Sequence, residues 1–77
     1  MARLEAPTTL TIDYIVQVFF ENCNDINTWH FDSYEKAVNR YNKTCNDKEV
    51  YTILSQDTII NREGVEGFIR TTLAKSK

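Results

Sequence analysis

The sequence predicts an α+β domain: a small antiparallel sheet, ordered ββαββ along the chain, with one central helix and a short C-terminal helix. Three observations predict it. Residues 9–21 alternate as a half-buried strand does, residues 34–45 repeat apolar side chains at helical spacing, and residues 50–62 are rich in β-branched side chains. The 77 residues, 42% of them hydrophobic, suffice for one domain over 1–77 with a single core. Residues 1–8 are expected to form a loose arm.

The first predicted element is a β-hairpin. Residues 9–21 place five apolar side chains on one face, namely Ile12, Tyr14, Val16, Val18 and Phe20. Residues 22–27 are dense in Asn and Asp, which tolerate turn conformations, so they predict the hairpin loop. Residues 28–31 then form a short antiparallel strand. The other face of the first strand is mostly polar, but it carries Ile15 and Phe19.

The central helix is predicted from a cap and a stripe. Asp32 is the predicted N-cap, with Glu35 three residues on as in a capping box, and Ser33 is an alternative cap. The apolar stripe that follows comprises Tyr34, Ala37, Val38, Tyr41 and Cys45. Because the opposite side is polar, we expect the stripe to be buried against the apolar face of the first strand.

A second hairpin and a terminal helix complete the predicted fold. Residues 50–55 and 58–62 read as the third and fourth strands, separated by the polar pair Gln56-Asp57. Residues 63–77 are ambiguous, because apolar spacing suits a helix while residues 68–73 also have strand propensity. Gly64 and Gly67 each weaken a helix by ~1 kcal/mol relative to alanine. We predict a short helix here.

Composition restricts the partners and the compartment. Nine basic and eleven acidic residues give a net charge of -2, which argues against strong binding to a polyanion. No apolar run approaches the ~20 residues of a membrane span, and the first residues lack the apolar core of a signal peptide. We therefore expect a cytoplasmic protein without a membrane partner. Cys23 and Cys45 are expected to be free thiols.

No motif predicts catalysis, a metal or a cofactor. His30 is the one histidine, and no third group stands at a spacing that would complete a nucleophilic site. Two cysteines and one histidine fall short of four zinc ligands. Gly64 and Gly67 fit no phosphate-binding frame. We therefore expect a protein that is not an enzyme, with His30 facing solvent.

The predicted contact residues lie on the sheet face that the central helix leaves open: Ile15, Phe19 and Tyr51. Residues 9–31 contain no Lys or Arg, which favours a protein contact over nucleic-acid stacking. We expect a small non-catalytic binding protein that modulates a protein partner or associates with itself. Its Asn-, Ile- and Lys-rich composition would suit an accessory or inhibitor protein of a phage or another mobile element. The alternative is a single-stranded nucleic-acid-binding module that stacks bases on aromatic side chains of the sheet face.

Overall fold

One antiparallel sheet and one helix make up the fold. The computed structural model describes residues 8–22 and 24–77. In chain order the elements are β1 (Thr8–Phe20), β2 (Ile26–Phe31), α1 (Tyr34–Thr44), β3 (Val50–Arg62) and β4 (Val65–Lys75). All neighbouring strands are antiparallel, in the order β2-β1-β3-β4. The predicted α+β class, with a four-stranded antiparallel sheet and a central helix, is confirmed.

The predicted break at Gln56-Asp57 is wrong. β3 continues through both residues, and they pair with Tyr14 and Asp13 of β1. The two short strands predicted at 50–55 and 58–62 are therefore one strand of 13 residues. A buried aspartate is tolerated in this central strand because Arg70 of β4 donates two hydrogen bonds to the Asp57 carboxylate.

The predicted C-terminal helix is also wrong, because residues 65–75 form the edge strand β4. Glu63 and Gly64, with φ angles of 56° and 79°, make the two-residue loop that joins β3 to β4. Positive φ at both central residues is typical of a type I′ turn, whose twist matches that of the flanking strands. The ββαββ arrangement is therefore not exact: the fourth strand occupies the place of the helix, and predicted strands three and four merge.

The helix begins one residue later than predicted. Ser33 is the N-cap, with extended backbone angles, and its hydroxyl accepts a hydrogen bond from the Lys36 backbone N–H at 3.5 Å. The Asp32 carboxylate instead accepts from the Lys36 ammonium at 3.4 Å. At the other end, the backbone N–H of Cys45 donates to the carbonyl of Tyr41.

The core lies between α1 and one face of the sheet. Val16 and Ala37 are fully buried and Leu54 is 3% exposed. Half-buried side chains surround them: Tyr14, Trp29, Phe31, Val38, Tyr41 and Ala74. The expected packing of α1 on β1 is thus observed, but the predicted burial of Tyr34 is wrong. Tyr34 is 55% exposed at the first turn, where its ring meets that of Tyr14 edge-on at 5.7 Å.

Two predictions fall wholly or partly outside the described residues. The loose arm over residues 1–8 lies outside them except for Thr8, where β1 begins. The free-thiol prediction for Cys23 also lies outside them. Cys45 is a free, half-buried thiol.

Candidate protein interface

The helix covers only one end of the sheet. An 11-residue helix spans about 16 Å, whereas a 13-residue antiparallel strand spans about 44 Å. β2 ends where Phe31 pairs with Tyr14, and α1 starts just beyond that point. We call residues 14–20 and 50–56 the covered end. The bare end comprises residues 8–12 of β1, 58–62 of β3 and 65–69 of β4.

The bare end carries apolar side chains on the face that α1 covers elsewhere. The register places Leu10 beside Ile60, and Thr58 lies between Ile12 and Ile69. We call this surface the bare apolar face, and its apolar residues are Leu10, Ile12, Ile60, Val65 and Ile69. Ile60 is half-buried, and the other four are between 47% and 73% exposed. Among the described residues whose side chains lie on this face of the bare end, Arg62 is the one charged residue.

An open groove of ≈ 530 Å³ lies at the turn end of this surface, and its lining includes Ile60, Val65 and Ile69 together with Phe68. Gly67 belongs to the same lining and has no side chain to fill it. A Cβ atom placed on Gly67 would meet nothing within 4 Å. The bare apolar face therefore has relief as well as apolar character, so a protruding side chain of another molecule could enter it.

The opposite face carries a charged row at the inner border of the bare end. Asp13 and Asp57 are directly opposite each other, and Arg70 is the next partner across. Arg70 donates to Asp57 at 2.7 and 2.9 Å, and His30 Nδ1 lies 3.0 Å from Asp13 Oδ2. The hydrogen bonds from Arg70 lower the pKa of Asp57, and the same contact raises the pKa of Arg70. His30 is exposed, as predicted. The opposite face of the bare end itself is mainly polar, with Thr9, Thr11, Asn61 and Glu66 beside the apolar Ile59 and Phe68.

The structure brings two of the three predicted contact residues together. Phe19 and Tyr51 are direct partners across β1 and β3, with ring centroids 5.9 Å apart, and both are half-buried. They lie on the face opposite α1, as strand alternation predicts. Ile15 lies on the same face, as predicted, but it is only 2% exposed. The binding role of the three residues stays a prediction.

Sequence patterns did not predict the bare apolar face. Alternation places Ile12 on the face that α1 is expected to cover, and the predicted C-terminal helix contains Val65 and Ile69. The predicted lengths of the strand and the helix do contain a usable signal. A strand rises more than twice as far per residue as a helix, so a strand of about 13 residues extends well beyond a helix of 11 residues. That mismatch predicts that one end of the sheet lies beyond the helix.

In the described part of the chain, no group of three or more His, Cys, Asp or Glu residues is arranged to hold a metal ion. No helix there has the length and apolar character needed to cross a membrane. No protein family, curated protein sequence or solved structure matches this chain.

Proposed function

We propose that this chain is a non-catalytic binding protein that uses the bare apolar face to bind and modulate a protein partner. The observation that carries the proposal is the exposure of four large apolar side chains on one side of a three-stranded sheet segment. A sheet in a folded domain buries one face against another layer, and here no described residue supplies that layer. Exposed apolar patches of this kind mark interaction surfaces.

Burial of the bare apolar face alone does not supply enough free energy for stable binding, so a partner must make further contacts. Full burial of a Val, Leu or Ile side chain contributes about 1.5–3 kcal/mol, so covering four half-exposed ones contributes on the order of 4 kcal/mol. Association costs at least about that much in lost translational and rotational freedom. A partner must therefore also contact the rim, where Tyr34 and the turn at Glu63 and Gly64 are exposed. Tyrosine is enriched in protein interfaces relative to the rest of the surface.

The chemistry of the sheet face opposite α1 favours a protein partner over a nucleic-acid partner. Single strands are held by a positively charged groove that runs beside the stacking rings. The half-buried rings of Phe19 and Tyr51 are the observation that favours the nucleic-acid alternative. Arg70 on that same face, however, is bound to the Asp57 carboxylate, and Asp13 stands beside them. Binding of labelled oligothymidylate with a steep salt dependence would support the alternative.

A matched pair of variants on β1 tests the proposal. Ile12 and Thr11 are adjacent, both exposed, and point to opposite faces. Wild type, Ile12→Glu and Thr11→Glu would each be immobilised at low density and used to capture proteins from a lysate of the source organism, with quantitative mass spectrometry. We expect proteins captured by wild type and Thr11→Glu to be lost with Ile12→Glu by about tenfold or more.

Circular dichroism of all three proteins controls for folding. Capture that survives Ile12→Glu, or no enrichment by the wild type, would contradict the proposal. Phe19→Ser tests the second surface in the same assay. If Phe19→Ser loses the captured protein while Ile12→Glu keeps it, the binding surface is the one around Phe19 and Tyr51.

A further inference from the structure

We infer that, in the protein alone, the bare apolar face is covered by the same face of a second copy, packed face to face about a two-fold axis. This inference rests on the proposed function, because both assign this face as a contact surface. It adds a form of regulation, since self-association and binding of another protein would compete for the same residues.

The amphipathic bare end is the first observation that specifies a second copy. What covers the face must itself be apolar on the inner side and able to face water on the outer side. The bare end meets the first condition with Ile60 and Ile69 on one face, and the second with Asn61 and Glu66 on the other, beside Ile59 and Phe68. Two copies packed apolar face to apolar face form a two-layer sandwich with the mainly polar faces outward.

The thickness of α1 determines the orientation of the second copy. Stacked sheets lie about 10 Å apart, and a helix with its side chains is about 10–12 Å thick. The sheet of a second copy therefore fits in the same layer as α1, beyond its first turn. With the strands of the two copies parallel, both helices would occupy that layer and clash. With the strands antiparallel, each bare end continues the helix layer of the other copy.

Charges are compatible with the antiparallel arrangement. The rows of the bare apolar face contain no carboxylate, so two copies do not bring like charges together at the centre. Arg62 lies at the outer end of these rows, beside the turn. The antiparallel arrangement places that turn next to the start of α1 in the other copy, where Asp32 and Glu35 are exposed. Tyr34, also exposed there, can pack against the turn.

The size of the face determines the strength expected. Five residues along each of three strands cover a footprint of about 17 by 14 Å, or roughly 240 Å². This is well below the roughly 800 Å² per partner of a standard stable interface. We therefore expect a concentration-dependent dimer that another protein can displace, and not an obligate one.

Sedimentation in reducing buffer tests the inference, with Ile12→Glu and Thr11→Glu as a matched pair. These neighbours on β1 are both exposed and lie on opposite faces. As concentration rises from about 10 µM to about 1 mM, we expect the wild-type mass to rise from 9.0 kDa toward twice that value. Thr11→Glu should follow the wild type, and Ile12→Glu should stay monomeric.

A wild type that stays at 9.0 kDa throughout would overturn the inference. Equal loss of association in both variants would overturn it too, because association would then not depend on which face carries the new charge. Neither result bears on capture of another protein by Thr11→Glu but not by Ile12→Glu, so the proposed function can stand when this inference fails. Conversely, a wild type that dimerises but captures no other protein would overturn the proposed function and leave this inference standing.

Cross-linking provides a second readout that does not depend on a disruptive charge. Ile60 and Ile59 are adjacent, half-buried and on opposite faces of the central strand β3. Each is changed to cysteine in a Cys23→Ser, Cys45→Ser background and treated with a short bis-maleimide. We expect Ile60→Cys to give a covalent dimer several-fold faster than Ile59→Cys, because the two-fold axis passes near Ile60. Equal rates would overturn the face-to-face arrangement.

Discussion

The covered and bare ends share β1, β3 and one face pattern, yet one is a core and the other is a surface. Val16 and Ile12 lie four residues apart on the same face of β1, and they are 0% and 47% exposed. Both are β-branched, and both continue the same alternation. Alternation thus specifies the face on which a side chain lies, whereas burial depends on whether another element reaches that point. In this protein, the length of α1 sets the boundary.

The largest expected difference between the two ends comes from placing a charge in each. Val16→Asp leaves an unpaired carboxylate in the core, which costs several kcal/mol, close to the whole stability expected for a domain of this size. Ile12→Asp should change the free energy of unfolding by less than about 1 kcal/mol. Urea unfolding at about 5 µM, followed by circular dichroism, measures both. Similar losses would show that the bare end is buried in solution.

A medium effect is expected at the border between the two ends, where Asp57 and Arg70 join β3 to β4. Asp57→Asn should lower the free energy of unfolding by about 1–2 kcal/mol at pH 7, because it removes a charge-assisted ion pair. The effect is limited because the Arg70 side chain is partly exposed to water, which screens the pair. Asp25→Asn, in an exposed turn, is the control.

The sign of the pH dependence follows from the lowered pKa of Asp57. Its contribution is complete above the ordinary carboxyl pKa of 3.8 and is lost as pH falls through the lower, folded-state pKa. The gap between wild type and Asp57→Asn should therefore be constant near neutrality and shrink below about pH 4. A gap that widens on acidification would contradict the assigned role of the pair.

The smallest effect is expected at the far tip of the bare end, in the turn. Glu63 adopts a φ of 56°, a conformation that asparagine tolerates better, so Glu63→Asn should stabilise the protein by about 0.5 kcal/mol. Glu63→Gln removes the same charge without that backbone preference and serves as the control. Equal melting temperatures for the two variants would show that the turn does not limit the stability of the bare end.

Local patterns were sufficient for the covered end. Period-two alternation predicted β1, Asn and Asp density predicted the loop before β2, and the cap with its apolar stripe predicted α1 to within a residue or two. These features depend on neighbours close in sequence. The cap differed by one residue because Asp32 and Ser33 both suit the position, and only the backbone geometry distinguishes them.

The bare end depended on contacts that are distant in sequence. Gln56-Asp57 resembled a break because the partner of Asp57, Arg70, lies 13 residues away in a segment with mixed helix and strand signals. Gly64 weakens a helix by sequence criteria, yet with Glu63 it forms a two-residue hairpin loop. A helix over residues 63–77 leaves no β4, and without β4 there is no bare apolar face. The candidate site and the two fold errors therefore have the same origin.

The central pairing of β1 with β3 has a consequence for how quickly the chain folds. Its partners lie between 30 residues apart, at Phe20 and Val50, and 54 apart, at Thr8 and Arg62. The two hairpins on either side close locally, but this seam requires the ends of a long loop to meet first. We expect refolding in milliseconds to seconds, limited by closure of this seam, and slower than for helical domains of equal size. Stopped-flow refolding with microsecond kinetics would contradict this expectation.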